Sequence, residues 1–466
     1  MDRELLKHCL GALFEQITKR IQTSPGLPIP NPTTSFWLQP ESPLLSHIQS
    51  PSLPSDADIV IIGSGISAVS ILRELYRLNP KLNIVILDAR GICTGATGRN
   101  GGQTTWPPYW DYPDLKEEYG IEAAARIIKF RLRNMEEMFE MAKEEGSDCV
   151  KVSEIRETVA AHVSFDEDVA KRRFEALRVW HQDVPEQARE WWKVNAETAR
   201  TDLSMPTATG AIFGPAMALW PYRLCVSVLE RLLKQHDTLK IESYTPVEKI
   251  SYHPSASTPV YMITTPRGHI TTPTVVHATN AWSSHLIPGL RSKAFPCQGQ
   301  MSAQIPLRDL PPPGDDKYTY LFVHERGIDY MTQRLTTSTV NPDGTITTIG
   351  GEVMLGGGSA QTRNRGSDKI GSADDTKVDY LAASHLSGLV PSVFGSGAGD
   401  GKKATWGGTT VKDMWTGVMA FTADDLPFVG KIPSSITRRG KPKVKMQGNG
   451  VRTGEWCSVG FGGRVW

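Results

Sequence analysis

Asp58-Ile59-Val60-Ile61-Ile62-Gly63-Ser64-Gly65-Ile66-Ser67-Ala68 is a short apolar run that breaks at a glycine turn and passes straight into a helical pattern. A second apolar run, Ile84-Val85-Ile86-Leu87, ends at Asp88. Strand, glycine turn, helix, strand and acid in this order make a dinucleotide-binding βαβ unit. Gly63 permits the tight turn out of the strand, and Gly65 presents no side chain to a pyrophosphate at the N-terminus of the helix that Ile66 and Ser67 begin. Ala68 allows the helix to lie close on the strand. Asp88 follows Ala68 by 20 residues, the spacing at which a carboxylate reaches the 2′-hydroxyl of an adenosine ribose.

The chain's 466 residues, 39% of them hydrophobic, are enough for two or three cores, and a net charge of +1 gives no electrostatic case for nucleic acid or an anionic membrane. The six cysteines are scattered without a C-x-x-C pair, which predicts reduced thiols in an intracellular protein and no metal site. No stretch approaches the roughly 18 to 20 continuous apolar residues of a membrane span, so a soluble, cytoplasmic protein with no membrane partner is expected. Leu5, Leu6, Cys9, Leu10, Leu13, Phe14, Ile17 and Ile21 recur at helical spacing. Asp2, Glu4 and Glu15 argue against an acid-poor transit peptide, which leaves a helix docked on the body. The ending Arg464-Val465-Trp466 is not a peroxisomal tripeptide.

Residues 23–55, rich in Pro and Ser, predict an extended arm with Trp37 as its anchor. After Asp88 the glycine-rich loop Gly91 to Gly102 is too broken for a helix. Helices are expected over 121–146 and 167–200, and from Trp220-Pro221-Tyr222-Arg223 to about His236. Strand patterns lie at 208–213, 239–243, 247–252, 260–265, 274–278, 299–305, 319–323, 328–333 and 345–349. Residues 354–376, rich in Gly and Ser, read as a mobile surface loop, followed by a short helix over 377–389 and a last block over 405–466. The fold class is therefore α/β, a Rossmann-like nucleotide domain interrupted by a second domain with a mostly antiparallel sheet and helices.

Five ordered segments carry a resemblance that covers about residues 35–463. They are the βαβ fingerprint with Asp88, the loop Gly95-Ala96-Thr97-Gly98-Arg99-Asn100-Gly101-Gly102, Trp220-Pro221-Tyr222-Arg223 with the later Thr245-Pro246-Val247, Ala278-Thr279-Asn280-Ala281-Trp282, and Trp415 to Gly430. Together they resemble the FAD-dependent amine and amino-acid oxidoreductases of the D-amino-acid oxidase superfamily, which includes glycine oxidase, sarcosine oxidase and gamma-glutamylputrescine oxidase.

The resemblance implies an FAD-binding domain made of 56–105, 220–298 and 405–466, a substrate domain made of 106–219 and 299–404, and an N-terminal helix and arm over 1–55. Cofactor contacts are implied for Gly63, Gly65, Ile66, Ser67, Asp88, Ala89 and Arg90. They are also implied for the loop residues Gly95, Ala96, Thr97, Arg99, Asn100, Gly101 and Gly102, with Arg99 and Asn100 supplying donors to phosphate or flavin oxygens. Val247 would meet the adenine, Thr279 and Asn280 the pyrophosphate side, and Gly460, Phe461, Gly462 and Gly463 the flavin. Trp106, Tyr109 and Tyr330 are candidate pocket residues, and Arg334 a clamp for a substrate carboxylate.

The activity implied is hydride transfer from the carbon beside an amine nitrogen to flavin, giving an imine that water hydrolyses, with oxygen or another acceptor taking the electrons. Gly417-Val418-Met419-Ala420 stands where sarcosine oxidases place a linking cysteine, so non-covalent FAD is expected. The family usually closes with Gly-Phe-x-Gly-His-Gly-Met and a helix, whereas here Gly460-Phe461-Gly462-Gly463 is followed by Arg464-Val465-Trp466, which implies a missing closing helix and a less tightly held cofactor. Residues 438–453 are also unusually basic. Two further readings stay open. One is a flavin-binding relative with little or no activity; the other is a nicotinamide-dependent dehydrogenase, in which the glycine loop and the closing block have no role.

Overall fold

Ile59–Ile62 is the centre of a six-stranded sheet, with Ile84–Leu87 on one side and Thr274–His277 on the other, all parallel. The computed structural model describes residues 3–104, 106–254, 260–306, 317–340, 346–394, 409–440 and 452–462. Leu239–Glu242 extends the parallel sheet beyond Ile84–Leu87, and Gly454–Val459 extends it beyond Thr274–His277; Phe428–Lys431 closes that edge antiparallel. The central strands are buried on both faces, which is why their sequences are continuous Ile and Val runs and do not alternate. Helix Ile66–Leu78 covers one face through Ala68, Val69, Leu72 and Tyr76. Helix Pro221–Gln235 lies beside it, begun by Pro221 at its first turn.

The second layer is an eight-stranded sheet in the order Thr409–Thr422, Ala294–Pro306, Val353–Gly357, Gly327–Gln333, Tyr318–His324, Arg156–Ser164, Gly210–Ala218 and Trp192–Val194. All of its pairings are antiparallel except that between Tyr318–His324 and Arg156–Ser164. A small antiparallel sheet, Lys249–His253, Val260–Thr265 and Gly268–Thr272, flanks the nucleotide half. This is the α/β class expected, with one mainly parallel and one mainly antiparallel sheet.

Several local expectations give way to tertiary structure. The helix expected over 167–200 stops at Asp183, because Pro185 disfavours helix at Val184, and the chain then makes Pro185–Ala188, Trp192–Val194 and Ala196–Asp202. Thr409–Thr422, placed by sequence in the FAD-binding portion, pairs from Ala294↔Thr422 to Pro306↔Thr409 and so belongs to the eight-stranded sheet. A boundary at 298/299 likewise falls inside the continuous strand Ala294–Pro306.

The segment 354–376 is not a mobile loop at its start: Val353–Gly357 is fully buried between two partner strands, and Asp375 further on is fully buried too. Its glycines serve close packing. A Cβ on Gly356 would lie 2.3 Å from Met301 Sδ and 2.4 Å from the Tyr330 ring. Gly356→Ala is therefore expected to lower stability by about 1–3 kcal/mol, the usual cost of overpacking, in thermal or denaturant unfolding. A variant as stable as the parent chain would show that this strand is not packed as described.

Candidate active site

The C-terminal ends of the three central parallel strands open into a cavity of about 530 Å³ that continues to the eight-stranded sheet. This volume lies within the range of about 300–1,000 Å³ typical of small-molecule and cofactor sites, and its position is the crevice where open α/β sheets bind ligands. At the fingerprint, Gly63 has φ +96° and a Cβ there would stand 2.5 Å from the Ala278 carbonyl oxygen. The turn is thus possible only for glycine. Gly65 is the N-cap of Ile66–Leu78 without a side-chain cap, and the Ile66 amide donates to Thr97 Oγ1 at 2.9 Å. The following amides, beginning with Ser67, have no intrahelical acceptor and form a partial positive end at the cavity wall.

Asp88 and Ala89 line the same wall. The Asp88 carboxylate accepts from Ser64 N at 3.0 Å and Ser64 Oγ at 2.5 Å through Oδ2, and from Arg90 N at 2.9 Å through Oδ1. A carboxylate has about four acceptor sites, so Oδ1 keeps room for a sugar hydroxyl. Burial raises the Asp88 carboxyl above the usual carboxylate range, against the lowering effect of the Ser64 and Arg90 hydrogen bonds and the Arg90 charge. Ser64 Oγ also accepts from Cys93 N at 2.8 Å, which ties the turn to the glycine-rich loop.

That loop contributes Gly95, Ala96, Thr97, Arg99, Asn100 and Gly101 to the cavity. The polar heads of Arg99 and Asn100, expected as donors to a ligand, are engaged by protein. Asn100 Nδ2 donates to Ala96 O and Thr97 O, and its Oδ1 accepts from Gly102 N. Arg99 is 2% exposed, with Nε on Thr416 O at 2.8 Å and Nη2 on Thr33. Burial lowers its pKa to about 10, with Asp375 opposing the shift, so it remains a cation at neutral pH. Arg90 reaches Asp375 Oδ2 at 2.8 Å and lies over the Trp282 ring. Gly102 stands outside the cavity, where a Cβ would meet Leu219 O and Trp37, and it anchors the loop end through Leu219 N.

Val247, Thr279 and Asn280 also line the cavity, Asn280 in the left-handed region at φ +41° that asparagine tolerates. Phe461 and Gly462 reach it as well, with Gly462 N donating to Ala420 O at 2.8 Å. Gly460 lies just behind, against Thr422. Gly463, the terminal residues Arg464–Trp466 and 441–451 of the basic segment lie outside the described residues.

Toward the eight-stranded sheet, Tyr330 and Trp106 form part of the wall. Burial raises the Tyr330 phenol to about 12, with Asp329 adding to the shift. Trp106 Nε1 donates to Asp111 Oδ2, which is also paired with Arg131. Tyr109 and Arg334 do not line the cavity, and each has a physical reason. Tyr109 is core on helix Pro108–Tyr119, its hydroxyl 3.1 Å from His162 Nδ1 and its ring against Trp191. Arg334 is neutralised by Glu154 at 2.5 Å and Glu352 at 2.6 Å and stacks over Trp220, which removes it as a carboxylate clamp. Leu321 and Ile328, which line the cavity, were not picked out in the sequence because a strand pattern does not say which face meets a void, and Arg326 and Arg365 were not because a turn or loop carries no such pattern at all. Sequence reasoning also missed Gly26, Leu27 and Pro28 of the N-terminal arm. Among the described residues, no group of three or more His, Cys, Asp or Glu is placed to hold a metal ion, and no helix is long and apolar enough to cross a membrane.

A flavin dinucleotide fits these residues: a Cβ-free turn and open helix N-terminus for its pyrophosphate, an acceptor for its ribose, and a continuous cavity beyond. Residues 58–464 match the family described as DAO, FAD dependent oxidoreductase, and the chain belongs to it. It is an FAD-dependent oxidoreductase of the D-amino-acid oxidase superfamily. No curated protein matches the sequence. Among solved structures, the chain is similar to glycine oxidase from Geobacillus kaustophilus at 15% identity, with 88% of this chain and 90% of that one covered and a TM-score of 0.61. It is also similar to L-proline dehydrogenase from P. horikoshii (17%, 88% and 90%, 0.58) and to iminodiacetate oxidase from Chelativorans sp. BNC1 (16%, 87% and 90%, 0.58). At these identities the likeness is one of fold.

Two substitutions test the nucleotide end. Gly65→Leu is expected to abolish FAD retention, measured as flavin absorbance per purified chain, because a side chain takes the space of the pyrophosphate; full occupancy would overturn the assignment. Asp88→Ala is expected to weaken FAD binding roughly tenfold to a hundredfold, the worth of a charged hydrogen bond, and to leave the spectrum of the retained flavin unchanged. An unchanged dissociation constant would reduce Asp88 to a brace for Ser64.

Proposed function

We propose that this chain oxidises the C–N bond of an amino acid or a closely related carboxylated amine, with FAD held non-covalently. Bound FAD supplies the acceptor for hydride from the carbon beside the substrate nitrogen. The six-stranded half, with its glycine turn and Asp88, serves as the cofactor side, and the strands that carry Leu321, Ile328, Tyr330 and Met419 as the substrate side.

One observation supports the substrate class most directly. Asp88, at the nucleotide end, is the sole acidic residue lining the cavity among the described residues, whereas Arg365 lines it from a loop of the other half and Arg326, 3.5 Å from Glu325 at the surface, from a hairpin. A carboxylate finds cations there. An ammonium finds no anion, and a partly apolar wall disfavours its charge, so the nitrogen is held neutral with its lone pair available. Tyr330, neutral with its pKa raised to about 12, serves as a polar but uncharged wall, and Trp106 adds aromatic surface to the cavity lining. The non-covalent reading is supported by Cys93, the sole cysteine lining the cavity among the described residues. Its thiol donates to Ser64 O at 2.9 Å, and its pKa is raised by the neighbouring Cys225 thiol and by burial, so it is not a ready nucleophile.

The test is anaerobic mixing of the flavin-loaded protein with a panel of amino acids and the matching decarboxylated amines. Bleaching of the flavin by amino acids is expected, with Arg365→Gln raising the apparent KM by roughly tenfold or more and changing the limiting rate little. Equal bleaching by amines that lack the carboxylate would overturn the substrate class. A flavin that no member of the panel bleaches would overturn amine oxidation.

A further inference from the structure

The arm over residues 23–38 is stitched to both halves of the molecule at the cavity. It leaves helix Arg3–Gln22, where Arg20 donates to Ile370 O at 2.8 Å and Ser367 O at 2.7 Å. Ser24 Oγ lies 2.9 Å from Nδ1 of His285, itself a cavity residue, and Gly26, Leu27 and Pro28 then form part of the cavity wall. Ser35 Oγ donates to Gly98 O at 2.7 Å and Trp37 Nε1 to Asn100 O at 2.5 Å, so the arm ends on the glycine-rich loop.

Thr33 sits midway and uses every hydrogen-bonding group it has. Its hydroxyl donates to Asp375 O at 3.0 Å and accepts from Thr416 N at 3.0 Å and Arg99 Nη2 at 2.6 Å. A hydroxyl has one donor and two acceptor positions, so its capacity is filled. The main chain repeats the pattern, with Thr33 N donating to Asp375 O at 2.8 Å and Thr33 O accepting from Arg99 Nη2 at 2.5 Å. Arg99 thereby obtains, in a buried position, partners that its nearest carboxylate does not supply: Asp375 Oδ2 is 3.9 Å from Arg99 Nε and is taken by Arg90 at 2.8 Å. Losing the hydroxyl leaves a buried guanidinium short of acceptors, and the loop that carries it is the one that lines the cofactor cavity.

We infer that Thr33 is a positioning residue of the flavin site: through Arg99 it fixes the glycine-rich loop, and the N-terminal arm is one wall of the FAD cavity. Thr33→Val keeps the shape and removes the hydroxyl, whereas Thr33→Ser keeps all three of its hydrogen bonds. The expected result is an FAD dissociation constant at least roughly tenfold higher in Thr33→Val, with an altered flavin visible circular dichroism band, and a return to within about threefold of the parent value in Thr33→Ser. The melting temperature of each apoprotein is measured alongside. A lower melting temperature in Thr33→Val with unchanged FAD affinity and flavin spectrum would show a merely structural role and overturn the inference.

The unsubstituted chain gives an independent reading by hydrogen exchange with and without FAD. Protection of amides 63–68 reports the fingerprint, and protection of 24–35 together with 98–102 is expected from the arm and loop. Protection confined to 63–68 would overturn the inference while leaving the cofactor assignment standing.

Discussion

Three strand ends meet at Gly63. Its amide donates to Leu87 O at 2.8 Å, Ala278 N donates to Ile62 O at 2.9 Å, and the Ala278 carbonyl occupies the space where any Cβ would fall. With φ at +96°, the chain can turn there only as glycine, and only that turn brings the N-terminus of Ile66–Leu78 to face the cavity. Asp88 then holds the turn from the neighbouring strand through Ser64. The shape of the nucleotide end is thus fixed by backbone contacts among three strand ends.

The remainder of the site is an arrangement of buried charge. Asp375 is shared by Arg90 and Arg99, two cations against one anion, and Arg99 depends on carbonyl and hydroxyl oxygens for the rest of its partners. Those oxygens come from the Thr409–Thr422 strand and the N-terminal arm, segments far from the fingerprint in sequence. The glycine-rich loop is consequently held by both sheets and by the arm. Its orientation toward the cavity follows from where its polar side chains are tied, and its backbone is the face left for a ligand.

The sequence made the nucleotide half legible because its signals are local. Continuous Ile and Val runs, two spaced glycines and an acid at fixed distance each act within one βαβ unit, and the strands expected in this half lie within a residue or two of their expected ends, whereas Gly268–Thr272, Phe428–Lys431 and Gly454–Val459 were not read as strands. The other half was harder to read for identifiable reasons. Val353–Gly357 looked like a loop because Gly356 and Gly357 signal flexibility in isolation, whereas the Tyr330 and Met301 side chains that require Gly356 are brought there only by the sheet. Arg334 and Arg99 were read as ligand donors because a sequence does not show that Glu154 and Glu352 enclose the one and that Thr33 and Thr416 receive the other. Thr33 itself gave no signal: in a Pro- and Ser-rich arm, one hydroxyl looks like any other.

We propose that this cavity takes a flavin with an adenosine half, held at Gly63, Gly65 and Asp88. Parallel calorimetric titration of the apoprotein with FAD and with FMN tests it most directly. FAD is expected to bind at least roughly tenfold more tightly, because FMN leaves the spare acceptor of Asp88 without a ribose donor. Equal affinity for the two flavins would contradict it.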